Sequence, residues 1–233
     1  MKIVAIKDYI NCKVLVNQVF KIVKEKFNSL EGSHDWFHIE RVYQMSKHLQ
    51  KHEGGNEEVI KLSALLHDIS DHKYNGGDFD AGAKQAYQII IENGGNSNTA
   101  DKVARIVSQI SFKGALVEEK TSELELKIVR DADRLDAIGA IGVARAFAYG
   151  GSKGSPLYKP DLPPTPHSNK EDYLNSKSHT INHFHEKLLL LRDRLHTGTA
   201  RKIAEKRHLF MLDFLKQFHE EWDVNDLSSD PDQ

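Results

Sequence analysis

His67 and Asp68 stand side by side in LSALLHDISDHKY, residues 62–74. An imidazole nitrogen and a carboxylate oxygen both bind metals, and imidazole also moves protons near neutral pH. The apolar residues Val59, Leu62, Leu65, Leu66 and Ile69 around the pair are spaced by three and four, which places it at the end of a helix with one buried face. A carboxylate buried beside an imidazole is costly unless each is paired or bound to a cation. A His–Asp hydrogen bond at a helix end near solvent is the plainer account of those two residues alone. His38 lies four residues before Val42 and shares the stripe of Val42, Met45 and Leu49, so a second histidine is carried inward. A backbone carbonyl is enough to satisfy it. Asp131, Asp133 and Asp136 interrupt an otherwise apolar, alanine-rich segment. At least one is expected to meet a partner in the core, and an ion pair with Arg130 or Arg134 is the competing account. His38, His67, Asp68 and one of the three aspartates together offer two nitrogens and two oxygens. That borderline donor set suits Mn, Fe, Co, Ni or Zn, and Mg more weakly. Coming from three separate helices, the four would converge inside a bundle.

The elements that must position them follow from periodicity. Asp8 to Asn28 places Val16, Val19, Phe20, Val23 and Phe27 at helical spacing and reads as scaffold. His34 to His52 forms the helix bearing His38, with His34 and Asp35 capping its entry at Trp36, and Gly54-Gly55-Asn56 ends it. The helix of the His-Asp pair follows. Helices over Gly82 to Glu92 and Thr99 to Ser111 are separated by NGGNSN, and the second buries Val103, Ile106, Val107 and Ile110. Leu124 to Tyr149 reads as one interior helix, with Ala137, Gly139, Ala140 and Gly142 allowing close approach. Residues 150–175 hold five of the six prolines and form a long irregular loop, a candidate lid. Helices at about Ser176 to Leu195 and Gly198 to Glu221 close the domain, and residues 223–233 are a polar tail. No strand pattern or repeat competes, so the expectation is an all-α, single-domain helical bundle over residues 1–222.

Composition excludes several classes. A net charge of −2 gives no electrostatic case for a nucleic-acid scaffold or an anionic membrane surface. With Cys12 the single cysteine, a disulfide framework is excluded and a reduced, cytoplasmic setting is expected. Lys7, Asp8, Asn11 and Lys13 make the N-terminus too polar for a signal-peptide core, and no stretch has the length of a membrane span.

Taken together, HDWFHIERV, LLHDISDHK, ISFKG, RDADRLDAIGAIG and HFHEKLLLL resemble the HD-domain metal-dependent phosphohydrolases, in particular small bacterial members. The resemblance covers nearly the whole chain and implies an HD-type helical bundle with a metal site between core helices. The family signature is a histidine, a later His-Asp pair and a distal aspartate followed by a basic and a large apolar residue. His38, His67 and Asp68 match it, and Asp133-Arg134-Leu135 assigns the distal role to Asp133 rather than Asp131 or Asp136. Members with two metals need further histidines, and between Asp68 and Asp133 there is only His72. One divalent ion per chain is therefore implied, Mn, Co, Ni, Fe or Mg. A water on such an ion is acidified enough to attack phosphorus without a protein nucleophile. The implied reaction is hydrolysis of a phosphoester or phosphoanhydride in a nucleotide or related small phosphorylated metabolite.

Asp71 and His72 are the candidate general acid and base, standing where the family's alarmone hydrolases have two acids. A polar helix C-terminus is their other reading. Lys73, Lys113, His183 and Lys187 are candidate phosphate contacts, against the alternative of solvated surface cations. His179 and His183 share a helical face, a weak hint of a second metal. A regulatory nucleotide-binding module without turnover and a di-iron oxygenase are the alternative functions.

Overall fold

The structure, a computed structural model, describes residues 2–28, 35–70, 79–110, 121–165 and 178–225. Among them every regular element is helical, as the periodicity requires. The chain forms two compact units. The first comprises Met1–Lys113, Val117–Asp136 and His196–Ala200, and the second Gly114–Leu116, Ala137–Leu195 and Arg201–Gln233.

The first unit holds α1 (Lys2–Phe27), α2 (Trp36–Glu53), α3 (Glu57–Leu66), α4 (Phe79–Glu92), α5 (Ser97–Ile110) and α6 (Leu124–Asp136). Helices α2 and α3 begin where a short polar side chain accepts an otherwise orphaned backbone N–H. Asp35 takes that of His38, and Asn56 that of Val59. Between them Gly54 and Gly55, at φ of 83° and 87°, make the reversal that brings α3 back against α2. Val42, Leu49, Ile60, Leu62, Leu65 and Leu66 are buried in this pairing, at about 1.5–3 kcal/mol for each large side chain. Helix α5 buries Val103, Ile106, Val107 and Ile110, the stripe its spacing predicts. Helix α1 contributes more than scaffold. Its Lys26 Nζ donates to the carbonyl of Ile69 at 2.8 Å and so clamps the turn carrying His67 and Asp68.

Helix α6 ends at Asp136, and α7 (Gly139–Ser152) starts after a break, so residues 124–149 are two helices rather than one. Ile138 is extended and Gly139 sits at φ 78°, conformations that no continuous helix accommodates. The close approach expected at Gly142 is to the carbonyl of Ala137, which a Cβ would meet at 2.2 Å. It is a contact within the turn rather than with another helix.

In the second unit, Thr180–His183 is one α-helical turn that runs into a π-helix at Phe184–Leu188 and a 3-10 helix at Leu189–Arg194. The last helix, α8 (Gly198–Trp222), begins in the first unit and continues in the second. Phe147, Phe184, Phe214 and Phe218 pack ring against ring. The described half of the proline-rich loop is tied down. The carbonyls of Pro156 and Leu157 accept from Thr180 and Ile181, and that of Leu162 accepts from His179 Nε2 and Asn182 Nδ2. No helix among the described residues is long and apolar enough to cross a membrane.

Candidate metal centre

His38 lies in the first turn of α2, where Asp35 receives its backbone N–H at 2.9 Å. His67 is the residue on which α3 ends. Each imidazole is anchored by Nδ1. His67 Nδ1 donates to the carbonyl of Ala64 at 2.8 Å, and His38 Nδ1 to Asp136 Oδ2 at 2.7 Å. Because a carbonyl and a carboxylate only accept, both Nδ1 atoms carry the proton. Both Nε2 atoms are thereby left to face one another, 3.3 Å apart.

Two lone pairs aimed at each other in a buried place call for a cation between them, and two carboxylates complete the enclosure. Asp68 Oδ2 lies 3.5 Å from His38 Nε2 and 3.6 Å from His67 Nε2. Asp133 Oδ1 lies 3.5 Å from His38 Nε2. One donor atom each from His38, His67 and Asp133 fall within 4.8 Å of one another. Donors about 2.1 Å from a single ion, at tetrahedral or octahedral angles, are about 3.0–3.4 Å apart, close to the spacing observed. The residues therefore fit a divalent metal. The histidines are buried, whereas Asp68 and Asp133 are 21% and 35% exposed, so the donor set opens to solvent on its carboxylate side.

In the absence of metal the same charges hold a proton. Burial works to lower the pKa of His38, but hydrogen bonds to Asp136 and Asp68 and the charges of Asp133 and Asp68 outweigh it and raise it to about 9.

The three aspartates of α6 divide their roles by helical position. Asp133 and Asp136, three apart, share a face and grip His38 from its two ring nitrogens. Asp131 points elsewhere. Fully buried, it accepts from the backbone N–H groups of His196 and Thr197, from Thr197 Oγ1 and from His196 Nδ1, and so fixes the start of α8. Arg130 donates Nη2 to the carbonyl of Gln109 at 2.6 Å.

The structure thus brings His38, His67, Asp68 and Asp133 together. Asp71, His72, Lys73 and Lys113 lie outside the described residues, as does His34. His183 and Lys187 belong to the second unit, His183 at the end of the α-helical turn and Lys187 in the π-helix. Burial and the neighbouring Lys187 push His183 down to about 3, so it is neutral near pH 7 and offers a hydrogen bond rather than a charge. Among the described residues no second group has metal-binding geometry. His179 is instead a helix cap, accepting from the Asn182 N–H through Nδ1. Asp136 and Arg41 were missed as site residues. No signal in the sequence marked Asp136 as a helix end, because residues 124–149 read as one continuous helix.

A family model of the HD domain matches residues 36–138. The Bacillus subtilis protein YpgQ is 36% identical over 192 residues, which is 82% of this chain and 85% of YpgQ. The chain belongs to the HD-domain family. Among solved structures, an HD-superfamily hydrolase from Bacillus thuringiensis is 36% identical with a TM-score of 0.71, covering 89% of this chain and 96% of that one. A Lactobacillus plantarum protein is 31% identical with a TM-score of 0.78, covering 90% and 97%. YpgQ in complex with ADP aligns at 32% identity and a TM-score of 0.69, covering 88% and 97%. The matched region of the HD-domain model spans all four donor residues, from His38 to Asp133.

Proposed function

We propose that this HD-domain protein is a metal-dependent phosphohydrolase that cleaves a phosphoester or phosphoanhydride bond of a nucleotide. The observation that carries the reading is the pair of facing Nε2 atoms, each imidazole locked by its Nδ1, with Asp68 and Asp133 beside them. A divalent ion held there acidifies a bound water and offsets charge building on phosphate oxygens. Two nitrogens and two oxygens suit Mn, Co, Ni or Fe better than Mg. The partly exposed carboxylates leave room for a phosphate to approach from the solvent side. A nucleotide is favoured as substrate because YpgQ was crystallised with ADP. Asp71 or His72 moves the proton, and Lys73 and Lys113 meet phosphate charge. The site works in the cytoplasm.

The reading is tested by measuring phosphate and pyrophosphate release from nucleoside mono-, di- and triphosphates, with metal-stripped protein resupplied in turn with Mn, Co, Ni, Mg and Zn. Metal-dependent release identifies the scissile bond. Binding of nucleotides with no release under any metal would replace the hydrolase with a binding module.

A further inference from the structure

Asp136 is a buried carboxylate on which three donors converge. His38 Nδ1 lies 2.7 Å from Oδ2, Arg41 Nε 2.6 Å from Oδ1, and Arg41 Nη2 3.0 Å from Oδ2. It is also the last residue of α6, where unsatisfied carbonyls make the helix end negative. A carboxylate so placed needs a cation, and Arg41 supplies it from α2, three residues beyond His38 and on the same face. An ion pair tying α2 to α6 would need only Arg41 and Asp136. The third donor is the back of an imidazole whose front nitrogen faces His67, Asp68 and Asp133.

We propose that Asp136, steadied by Arg41, is a positioning residue that holds His38 with its Nε2 lone pair turned to the metal site. This inference rests on the metal-site reading above. Neutral imidazole carries one proton, and only when that proton is on Nδ1 is Nε2 a donor to a metal. A carboxylate accepts at both oxygens, so all three N–H groups are satisfied and His38 is held in that tautomer. An amide in the same place cannot do this. Its nitrogen must face either Arg41 Nε or the pair formed by His38 Nδ1 and Arg41 Nη2. In the second orientation His38 accepts at Nδ1, and its proton moves to Nε2, where it blocks the metal. His67 has its own anchor in the carbonyl of Ala64, so the defect is confined to His38.

The test uses the full chain and the metal alone. Zn is titrated calorimetrically into metal-stripped wild type, Asp136→Asn, Asp136→Glu and Arg41→Gln. Imidazole resonances of the 15N-histidine-labelled, Zn-loaded proteins are then recorded, with His38 identified by its absence from His38→Gln. Asp136→Asn should bind Zn roughly 10- to 100-fold more weakly and, at saturating Zn, show the Nδ1–H signal of His38 shifted upfield from its wild-type position as the charged acceptor is lost. Asp136→Glu should recover part of both, and Arg41→Gln should show a smaller loss. Wild-type affinity in Asp136→Asn, or an Nδ1–H signal unmoved from its wild-type position, would overturn the proposal. If Asp136→Asn does not fold, undiminished Zn affinity in Arg41→Gln overturns it instead. A wild-type protein that takes up no Zn would remove the metal-site reading itself. That result differs from a wild type that binds beside an Asp136→Asn protein that binds equally well.

Discussion

Raising the pH of the metal-free protein should weaken it through His38. The imidazole is buried and meets Asp136 at Nδ1, with Asp68 and Asp133 near Nε2, and its folded-state pKa is raised from 6.5 to about 9. The folded state therefore holds this proton more tightly than the unfolded chain does. The stabilisation is complete below pH 6.5 and is lost as pH rises through about 9. A shift of that size corresponds to at most about 3–4 kcal/mol at about 1.4 kcal/mol per pH unit. With a urea dependence of about 2–3 kcal/mol per molar for a chain of this size, the midpoint should fall by about 1 M. The assay is urea unfolding followed by circular dichroism at intervals between about pH 6 and pH 9.5, with chelator and with saturating Mn, beside His38→Gln. Metal occupies the place of the proton, so the loaded protein should lack this slope, and so should His38→Gln. Parallel pH profiles for metal-free wild type and His38→Gln would refute the reasoning.

The remaining predictions follow from separate features. Asp131→Ala strands the backbone N–H groups of His196 and Thr197 and the Thr197 hydroxyl, and should destabilise the protein by at least about 3 kcal/mol in urea unfolding. His183, depressed to about 3, opposes protonation of the folded state, so stability should be lost as pH falls below 6.5 toward 3. His183→Leu should make the acid limb of an unfolding profile shallower, and an unchanged limb would count against that assignment. Gly142→Ala drives a Cβ into the Ala137 carbonyl and should lower stability by about 2–3 kcal/mol, read as a drop in Tm. His67→Ala should remove metal binding while the chain stays helical by circular dichroism, and full retention of metal would rule out His67 as a ligand.

The helical architecture was legible because α2, α3 and α5 each bury a stripe at three-and-four spacing, and α2 and α3 start at Asp35 and Asn56. The break at Ala137 and Ile138 was not. Alanine and glycine support both a continuous helix and a close turn, and only the positive φ of Gly139 decides between them. The four metal donors were legible from polar residues on apolar faces, and the family signature chose Asp133 among the three aspartates. Periodicity placed Asp136 on the same face as Asp133. It could not say that the two carboxylates sit on opposite edges of one imidazole, because that depends on how α2 and α6 cross. Nor does a helical repeat reveal the π-helix at Phe184–Leu188, which puts the residues after His183 out of the register that an α-helix predicts.

The most direct test of the metal centre as a hydrolytic site is phosphate release from a nucleoside triphosphate by metal-stripped protein as Mn is added in fractions of an equivalent. Activity should be absent without metal, rise in proportion and level off at one ion per chain. Undiminished release from the chelated protein, or none from a folded protein with its site filled, would contradict it.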